Sequence, residues 1–286
     1  MVLIADSGST KCDWVLIDGD KRIDFSTMGF NPFFHNEEII SNAIKNNTEL
    51  YSHANEISLL FLYSAGCSSK ELKLVVERGL RNCFPKANIY VDHDLVAAAF
   101  ATYSGVPGIS CILGTGSNSC YFDGDVVKEQ VPALGYILGD EGSGSYFGKK
   151  VLADFLYKKL PEKLHNDIVS QFGLTKDIIF EHVYMRPHAN VYLASFMKVI
   201  SENKDLPYVQ QMIFDGMLHF LKNHVCCFNN YFKLPVHFIG SIAFYHEMAL
   251  RKAAESLDIT VGNIIQKPIY GLVDYHIKYL IPKKGK

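Results

Sequence analysis

The chain has 286 residues, 48% of them apolar and 20% charged, which suits one large or two medium globular domains. Its 28 basic and 30 acidic residues leave a net charge of −2, so neither a nucleic acid nor an anionic membrane surface is indicated as the main partner. The seven cysteines are odd in number and form no Cys-x-x-Cys pair. That argues against a disulfide framework or a zinc site and for a reduced, cytoplasmic protein, and neither a signal segment nor a membrane span is expected.

Residues 2–27 read as three strands in a meander, turning over 6–11 and 18–21. The first turn, Asp6-Ser7-Gly8-Ser9-Thr10-Lys11, lies between two apolar runs. Gly8 permits a positive φ and a close backbone approach. Successive small residues can point their N–H groups into one anion-binding concavity. Asp6 ends the first strand, where it could hold a cation beside that anion, and a phosphate with Mg²⁺ is the natural pair. An ordinary hairpin with an Asx hydrogen bond accounts for the same residues. Gly29-Phe30-Asn31-Pro32-Phe33-Phe34 reads as a rigid loop, because Pro32 pushes Asn31 out of the α region. A helix follows over 36–47, then a buried strand over 57–63 and the small-residue loop Ser64-Ala65-Gly66-Cys67. Ser68 or Ser69 is placed to cap a helix running to about residue 81, with Leu72, Val75, Val76 and Leu80 on one face. After a strand over 88–91, an Ala-rich helix spans 94–103. Its cap is expected from Asp92 or Asp94. The other carboxylate would stand at a strand's carboxyl end and could take a proton from an attacking alcohol, with His93 a bystander.

Ser104-Gly105-Val106-Pro107-Gly108 is turn chemistry and marks a boundary, after which the opening pattern repeats. A strand over 109–113 leads into Gly114-Thr115-Gly116-Ser117-Asn118, and strands over 119–123 and 126–131 follow. Two β-β-β units with small-residue turns at equivalent places predict a duplicated, two-lobed α/β architecture. The lobes are drawn at 1–105 and at 106–272, the second with a helical insertion. A closing helix over about 273–286 is expected to return to the first. Each lobe would offer one phosphate-type turn to a shared cleft, where positioning and charge stabilisation carry phosphoryl transfer. Gly139-Asp140-Glu141-Gly142-Ser143-Gly144-Ser145 sets two adjacent carboxylates in a glycine-rich loop, suited to a polyhydroxyl ligand or a metal. A helix cap by Asp140 or Ser143 is compatible with that. Helices are read at 146–160, in shorter pieces over 162–204, and over about 206–231. A strand at 235–239 then meets Gly240-Ser241, whose small residues let a flat ring or a phosphate approach the following helix at 242–257. A last strand at 259–261, a helix over 272–281 and a solvated lysine tail at 283–286 complete the reading. No Walker A loop, nucleophile elbow or His-Glu-x-x-His is present.

Taken in order, these residues resemble the N-acetylglucosamine kinase branch of the BadF/BadG-type ATPases, within the actin and sugar-kinase superfamily. Leu134-Gly135-Tyr136-Ile137-Leu138-Gly139-Asp140-Glu141-Gly142-Ser143-Gly144 is similar to that family's Gly-Trp-Gly-x-x-Leu-Gly-Asp-Glu-Gly-Ser signature. Leu113-Gly114-Thr115-Gly116-Ser117-Asn118-Ser119 resembles its second phosphate motif, and the turn at 6–11 the first. Gly240-Ser241-Ile242-Ala243 resembles its adenosine motif, and Pro268-Ile269-Tyr270-Gly271-Leu272 its closing Pro-x-x-Gly segment. The resemblance implies a two-lobed actin-like ATPase (ribonuclease H-like) fold with hinge closure. It also implies transfer from ATP, with Mg²⁺, to the 6-hydroxyl of an amino sugar. N-acetylglucosamine comes first, with glucosamine and N-acetylmuramic acid as near alternatives. It would make Asp94 the base and set Asp6 near Mg²⁺. Asn31, Ser64, Asn118 and Asp140, with Glu141 beside it, would hold the sugar. Ser7, Gly8, Ser9, Thr10, Lys11, Gly114, Thr115 and Gly116 would hold the phosphates, and Gly240 and Ser241 would flank the adenosine. A homodimer is left open.

Three positions depart from the pattern. Ser7 stands where Gly is common, Leu134 stands where the signature has Trp, and Asn31 runs into Pro32-Phe33-Phe34 where the mammalian kinase has a His-Trp pair. They bear on which sugar is bound more than on the kinase chemistry. Two readings from other classes share the fold. One is an ATP-hydrolysing activator, which needs cluster cysteines that the sequence does not group. The other is a non-catalytic nucleotide or sugar sensor.

Overall fold

The computed structural model describes residues 1–281. The lysine tail read at 283–286, and the last residues of the closing helix drawn to 286, lie outside the described residues. The chain divides into two compact units: Met1–Tyr103 together with the segment from Pro268 onward, and Ser104–Lys267.

The first unit begins with β1 (Val2–Ser7), β2 (Lys11–Asp18) and β3 (Lys21–Met28), followed by α1 (Glu37–Asn46) and α2 (Thr48–Ser52). Next come β4 (Leu59–Ser64), α3 (Lys70–Arg81), β5 (Asn88–His93) and α4 (Asp94–Thr102). The five strands lie in the order β3-β2-β1-β4-β5. The β1–β2–β3 meander is antiparallel, whereas β4 and β5 run parallel to β1. β1 and β4 are nearly continuous apolar runs because both faces of the sheet are covered. On one face Leu3, Ala5, Trp14, Leu16, Leu60 and Leu62 pack with residues of α1 and α3. On the other, Ile4, Val15, Phe61 and Tyr63 pack with Ala97 of α4. Asn36 caps α1 by accepting the Ile39 N–H at 2.9 Å, and Ser69 caps α3 by accepting the Leu72 N–H at 3.3 Å. α2 is a single turn capped by Asn47, too short to leave a periodic signal in the sequence.

The second unit contains β6 (Gly108–Leu113), β7 (Ser117–Phe122), β8 (Val127–Lys128), α5 (Gly135–Leu138) and α6 (Gly144–Leu156). Five helices follow: α7 (Glu162–Phe172), α8 (Lys176–Phe180), α9 (Ala189–Ser195), α10 (Met197–Glu202) and α11 (Pro207–His224). The unit closes with β9 (Val236–Ile239), α12 (Ser241–Tyr245), α13 (Glu247–Glu255) and β10 (Val261–Ile265). Its sheet order, β10-β9-β6-β7-β8, repeats the neighbours and directions of the first sheet, with β6 in the place of β1. The predicted duplication is therefore present in backbone topology, although the residues of the two halves barely repeat. Phe147, Phe196, Phe220 and Phe238 sit at the centre of this unit's core and are fully buried.

Several boundaries differ from the sequence reading, each for a local reason. The helix read at 146–160 starts at Gly144, capped by Ser143, and stops at Leu156, where Lys158 turns left-handed at φ 57°. The helix read to about residue 231 stops at His224, whose carbonyl accepts the Ser119 hydroxyl at 2.6 Å. The helix read at 242–257 is broken at His246, a buried residue whose Nε2 meets the Ser201 hydroxyl at 3.2 Å. Burial, reinforced by Lys204, pulls the His246 pKa down to about 4, so the breaking residue is neutral. The last strand is Val261–Ile265, not 259–261: the Asn263 N–H bonds His237 Nδ1 at 3.0 Å, and the pairing register shifts between Val261 and Ile264. The strand read at 126–131 shrinks to Val127–Lys128.

The chain then returns to the first unit as α14 (Ile269–Tyr275), which continues into a π-helical turn at His276–Leu280. Leu272 and Val273 complete the face formed by Ile4, Phe61 and Ala97. Tyr275 stacks on Phe100 with ring centroids 4.2 Å apart, and buried His276 meets the Tyr63 hydroxyl at 3.1 Å. Among the described residues no helix is long and apolar enough to cross a membrane.

Candidate active site

In the first unit the parallel register aligns Asp6 with Tyr63 and Asp92, and Ser7 with Ser64 and His93. The carboxyl ends of β1, β4 and β5 therefore share one edge, which is where open α/β sheets keep their ligands. Asp6 is half-buried there. Burial first, then the negative charges of Asp94 and Asp13, push its carboxyl from the ordinary 3.8 up to about 7. Asp13 is its direct partner across the β1–β2 ladder, and Lys11 Nζ neutralises that residue at 2.5 Å. No group of three or more His, Cys, Asp or Glu side chains able to hold a metal occurs among the described residues. A magnesium ion, which is commonly held by one or two carboxylates plus substrate phosphates, fits this sparse donor set better than a caged metal would.

Asp94 is the first residue of α4, and its side chain is 24% exposed. The expected aspartate cap is corrected: His93 caps α4, its Nδ1 accepting the Leu95 N–H at 3.3 Å. Asp92 instead accepts from the His93 N–H at 2.8 Å and from Lys73 Nζ at 2.5 Å. Both carboxylates are thus spared capping. His93 is also no bystander, since its Nδ1 lies 3.0 Å from Asp94 Oδ1.

The turn after β1 is closed by the Gly8 N–H on the Lys11 carbonyl at 3.0 Å. Gly8 does not use the left-handed conformation open to it, and Ser9 and Thr10 lie beside it at the surface end of the turn. The glycine that the geometry requires is Gly29, where a Cβ would stand 2.1 Å from the Gly8 carbonyl oxygen. Ser7 and Ser64 are fully buried, and both turn their hydroxyls to the backbone of Phe30. Ser7 Oγ accepts the Phe30 N–H at 2.7 Å, and Ser64 Oγ donates to the Phe30 carbonyl at 2.5 Å. Asn31, itself only 7% exposed, has its Oδ1 pinned by the Phe33 N–H at 3.1 Å. Its amide Nδ2 donates to no acceptor among the described residues.

In the second unit the turn of Gly114, Thr115 and Gly116 is held from behind by the start of α6. The Gly144 N–H bonds the Gly114 carbonyl at 2.8 Å, and the Ser145 N–H bonds the Thr115 carbonyl at 3.1 Å. Asp140 ties the same two segments together. It sits left-handed at φ 56°, accepts the Ser117 N–H at 3.2 Å, and lies 3.5 Å from the Ser145 hydroxyl. Burial pushes its carboxyl above the usual range against the pull of the Ser117 N–H. Asn118 is buried, with Oδ1 on the Ser119 N–H at 2.8 Å. The Ser117 hydroxyl is buried without a hydrogen-bond partner among the described residues. Glu141 accepts from Asn223 Nδ2 at 2.9 Å, and its other oxygen lies 3.6 Å from His224 Nε2. Gly240 ends β9 at φ 107°, where a Cβ would stand 2.4 Å from the Leu113 carbonyl oxygen, so the turn entering α12 admits no side chain there. Ser241 next to it is exposed.

Asp140→Ala is expected to lower stability by about 1–3 kcal/mol, because it leaves the buried Ser117 N–H without an acceptor. Asp140→Asn, which keeps an acceptor and removes a buried charge, is expected to stay within about 1 kcal/mol of the parent in a urea melt. Sequence reasoning missed Gly29, Phe30, His93, Asn223 and His224. Gly29 directly before the Asn31 loop was the one signal available. Asn223 and His224 lie about eighty positions from the carboxylate they hold, beyond the reach of any local pattern.

No family model and no curated protein sequence matches the chain. Solved structures do. A Porphyromonas gingivalis protein named "Putative N-acetylglucosamine Kinase" is 37% identical, with a TM-score of 0.91, over 98% of this chain and 100% of that one. A Chromobacterium violaceum protein of the same name shares the fold at 16% identity and a TM-score of 0.71, over 96% of this chain and 98% of that one. A Streptomyces griseus ROK-family glucokinase, solved with glucose and AMPPNP, shares it at 14% identity and a TM-score of 0.57, over 96% of this chain and 98% of that one. With the repeated sheet topology and the full-length match to the Porphyromonas protein, the chain belongs to the N-acetylglucosamine kinase-like family, on the two-lobed actin-like ATPase fold.

Proposed function

We propose that the protein is an ATP-dependent sugar kinase that phosphorylates the 6-hydroxyl of an amino sugar, N-acetylglucosamine being the favoured acceptor. One observation carries the reading. Two carboxylates, Asp6 in β1 and Asp94 directly after β5, stand at the carboxyl edge of one sheet, where the register aligns Ser7, Ser64 and His93. Each has a distinct job in phosphoryl transfer.

Asp94 takes the proton from the attacking sugar hydroxyl as the oxygen approaches the γ-phosphorus. Its place as the first residue of α4, with Oδ1 3.0 Å from His93 Nδ1, sets the carboxylate at the carboxyl end of β5. Asp6 holds Mg²⁺, which when bound neutralises charge on the transferring phosphoryl group. The turn residues Ser9, Thr10 and Lys11 in one unit and Gly114, Thr115 and Gly116 in the other supply backbone and hydroxyl donors to the phosphates. Gly240 and Ser241 flank the adenosine. Asn31, through its spare amide donor, and Asn118, Asp140 and Glu141 hold the sugar. Ser7 and Ser64 serve the same site indirectly, through the Phe30 backbone. The reading as a kinase of a hexosamine is supported by the Porphyromonas relative's name, and the use of ATP by the AMPPNP in the Streptomyces glucokinase structure.

A coupled ADP-release assay across hexoses and amino sugars tests the proposal. The expected result is ADP release that depends on an added sugar and is fastest with N-acetylglucosamine. Release that no sugar accelerates would overturn the kinase reading. A faster rate with glucosamine or N-acetylmuramic acid would overturn only the choice of sugar.

A further inference from the structure

Two loops of the first unit are stitched into one body. The turn after β1 and the loop entering Asn31 are separate in sequence but packed together, and three of their contacts bear on the site. The Gly29 N–H bonds the Thr10 carbonyl at 3.1 Å. Gly29 Cα packs so closely on the Gly8 carbonyl that a Cβ would stand 2.1 Å from its oxygen. The Phe30 N–H bonds Ser7 Oγ at 2.7 Å. Of these, only the last runs through a side chain that can be changed without altering the backbone. Ser7 and Phe30 are both completely buried, so this bond has no water to replace it. Phe30 is in turn anchored edge-on against Trp14, with ring centroids 5.9 Å apart, and Asn31 follows directly with its side-chain Oδ1 accepting the Phe33 N–H. A small displacement of the β1 turn must therefore move Phe30, and with it the amide of Asn31.

We propose that the Ser7 hydroxyl is a positioning residue that couples nucleotide binding to sugar binding. Phosphates seated on the turn fix Ser7, Ser7 fixes Phe30, and Phe30 presents the Asn31 amide to the sugar. The inference rests on the kinase reading above, in which the turn holds the nucleotide and Asn31 the sugar. Coupling of this kind is reciprocal: the factor by which nucleotide tightens sugar equals the factor by which sugar tightens nucleotide. Ser64 provides an internal contrast. Its hydroxyl also bonds the Phe30 backbone, but from β4, which carries no phosphate turn. Loosening Phe30 from that side should weaken the sugar without uncoupling it from the nucleotide.

The test is calorimetric titration of N-acetylglucosamine with and without saturating Mg²⁺–AMPPNP, on the full chain and on Ser7→Ala and Ser64→Ala. The unsubstituted protein is expected to bind the sugar about tenfold more tightly with nucleotide present. In Ser7→Ala that ratio should fall to about two or less, while the affinity for nucleotide alone changes by less than about threefold. In Ser64→Ala the sugar affinity should fall with the ratio retained. Equal loss of the ratio in both variants would mean general loosening and overturn the inference, as would an unchanged ratio in Ser7→Ala. Where Ser7→Ala does not fold, Ser7→Cys keeps the size with a weaker acceptor. It should lower the ratio by a smaller amount, and an unchanged ratio in this variant overturns the inference too. Absence of sugar or nucleotide binding by the unsubstituted protein would overturn the kinase reading itself. A ratio of one in that protein would overturn only the coupling.

Discussion

Asp94→Asn is expected to lower kcat by about a thousandfold while leaving the dissociation constants for sugar and nucleotide within about threefold. The asparagine side chain matches the carboxylate in shape and remains the first residue of α4, so what it removes is the ability to take a proton. The helix keeps its His93 cap and loses only a favourable first-turn charge, worth about 0.3–1 kcal/mol. Folding should therefore survive, and circular dichroism with a urea melt would verify it. Stopped-time assays of sugar-6-phosphate formation measure the loss. Turnover near that of the unsubstituted protein would remove Asp94 from the role of base. A large loss of sugar affinity with kcat preserved would make it a binding residue instead.

Asp6→Asn should separate stability from activity in the opposite sense. Burial and two neighbouring carboxylates hold the Asp6 pKa at about 7 instead of the ordinary 3.8. Between those values the folded protein binds a proton that the unfolded chain has already lost. Stability therefore falls as the pH rises through this window, and the loss is complete above about pH 7. Each pH unit is worth about 1.4 kcal/mol, so roughly three units set a ceiling near 4 kcal/mol. Because Asp6 is only half-buried, solvent screening brings the expected gain of Asp6→Asn at pH 8 to about 1–3 kcal/mol. At pH 5 the gain should shrink, since the unsubstituted carboxyl is then mostly protonated in the folded state. The measurement is a pair of urea melts of the metal-free protein at the two pH values. The same substitution is expected to reduce Mg²⁺-dependent turnover by at least about a hundredfold. A variant less stable than the parent at pH 8 would show that Asp6 makes a favourable contact, not an unfavourable one, in the absence of metal.

The parts of this fold that could be read in advance are those where one face is buried and the period is therefore imposed. β1, β2 and β4 are apolar runs bounded by small residues, and α3 carries its serine cap directly before its apolar stripe. Where the structure departs from expectation, a buried polar side chain has overridden local propensity. His246 divides what reads as one helix, because its ring is needed by Ser201. The Ser119 hydroxyl ends α11 by taking the His224 carbonyl. His93 displaces two aspartates from a cap they would ordinarily take, leaving Asp92 to Lys73 and Asp94 at the end of β5. The Ser201 and Ser119 partners lie 45 and 105 positions away, beyond any window of residues, whereas the His93 cap is local and turns on which of three adjacent polar side chains takes the Leu95 N–H. The candidate site divides in the same way. Its turns are legible as runs of small residues, while the hydrogen bonds of Ser7, Ser64 and Asp140 exist only once distant segments have met.

The first unit is assembled from both ends of the described chain, with the whole of the second unit inserted between α4 and α14. During synthesis the second unit, a continuous stretch from Ser104 to Lys267, has every residue it needs as soon as it leaves the ribosome. The first does not. Ile4, Phe61 and Ala97 must wait for Leu272 and Val273 before that side of the sheet is covered. The nascent protein therefore carries a partly uncovered apolar sheet face, that of Ile4, Val15 and Phe61, while the whole of the second unit is made. The half that emerges first is the half completed last.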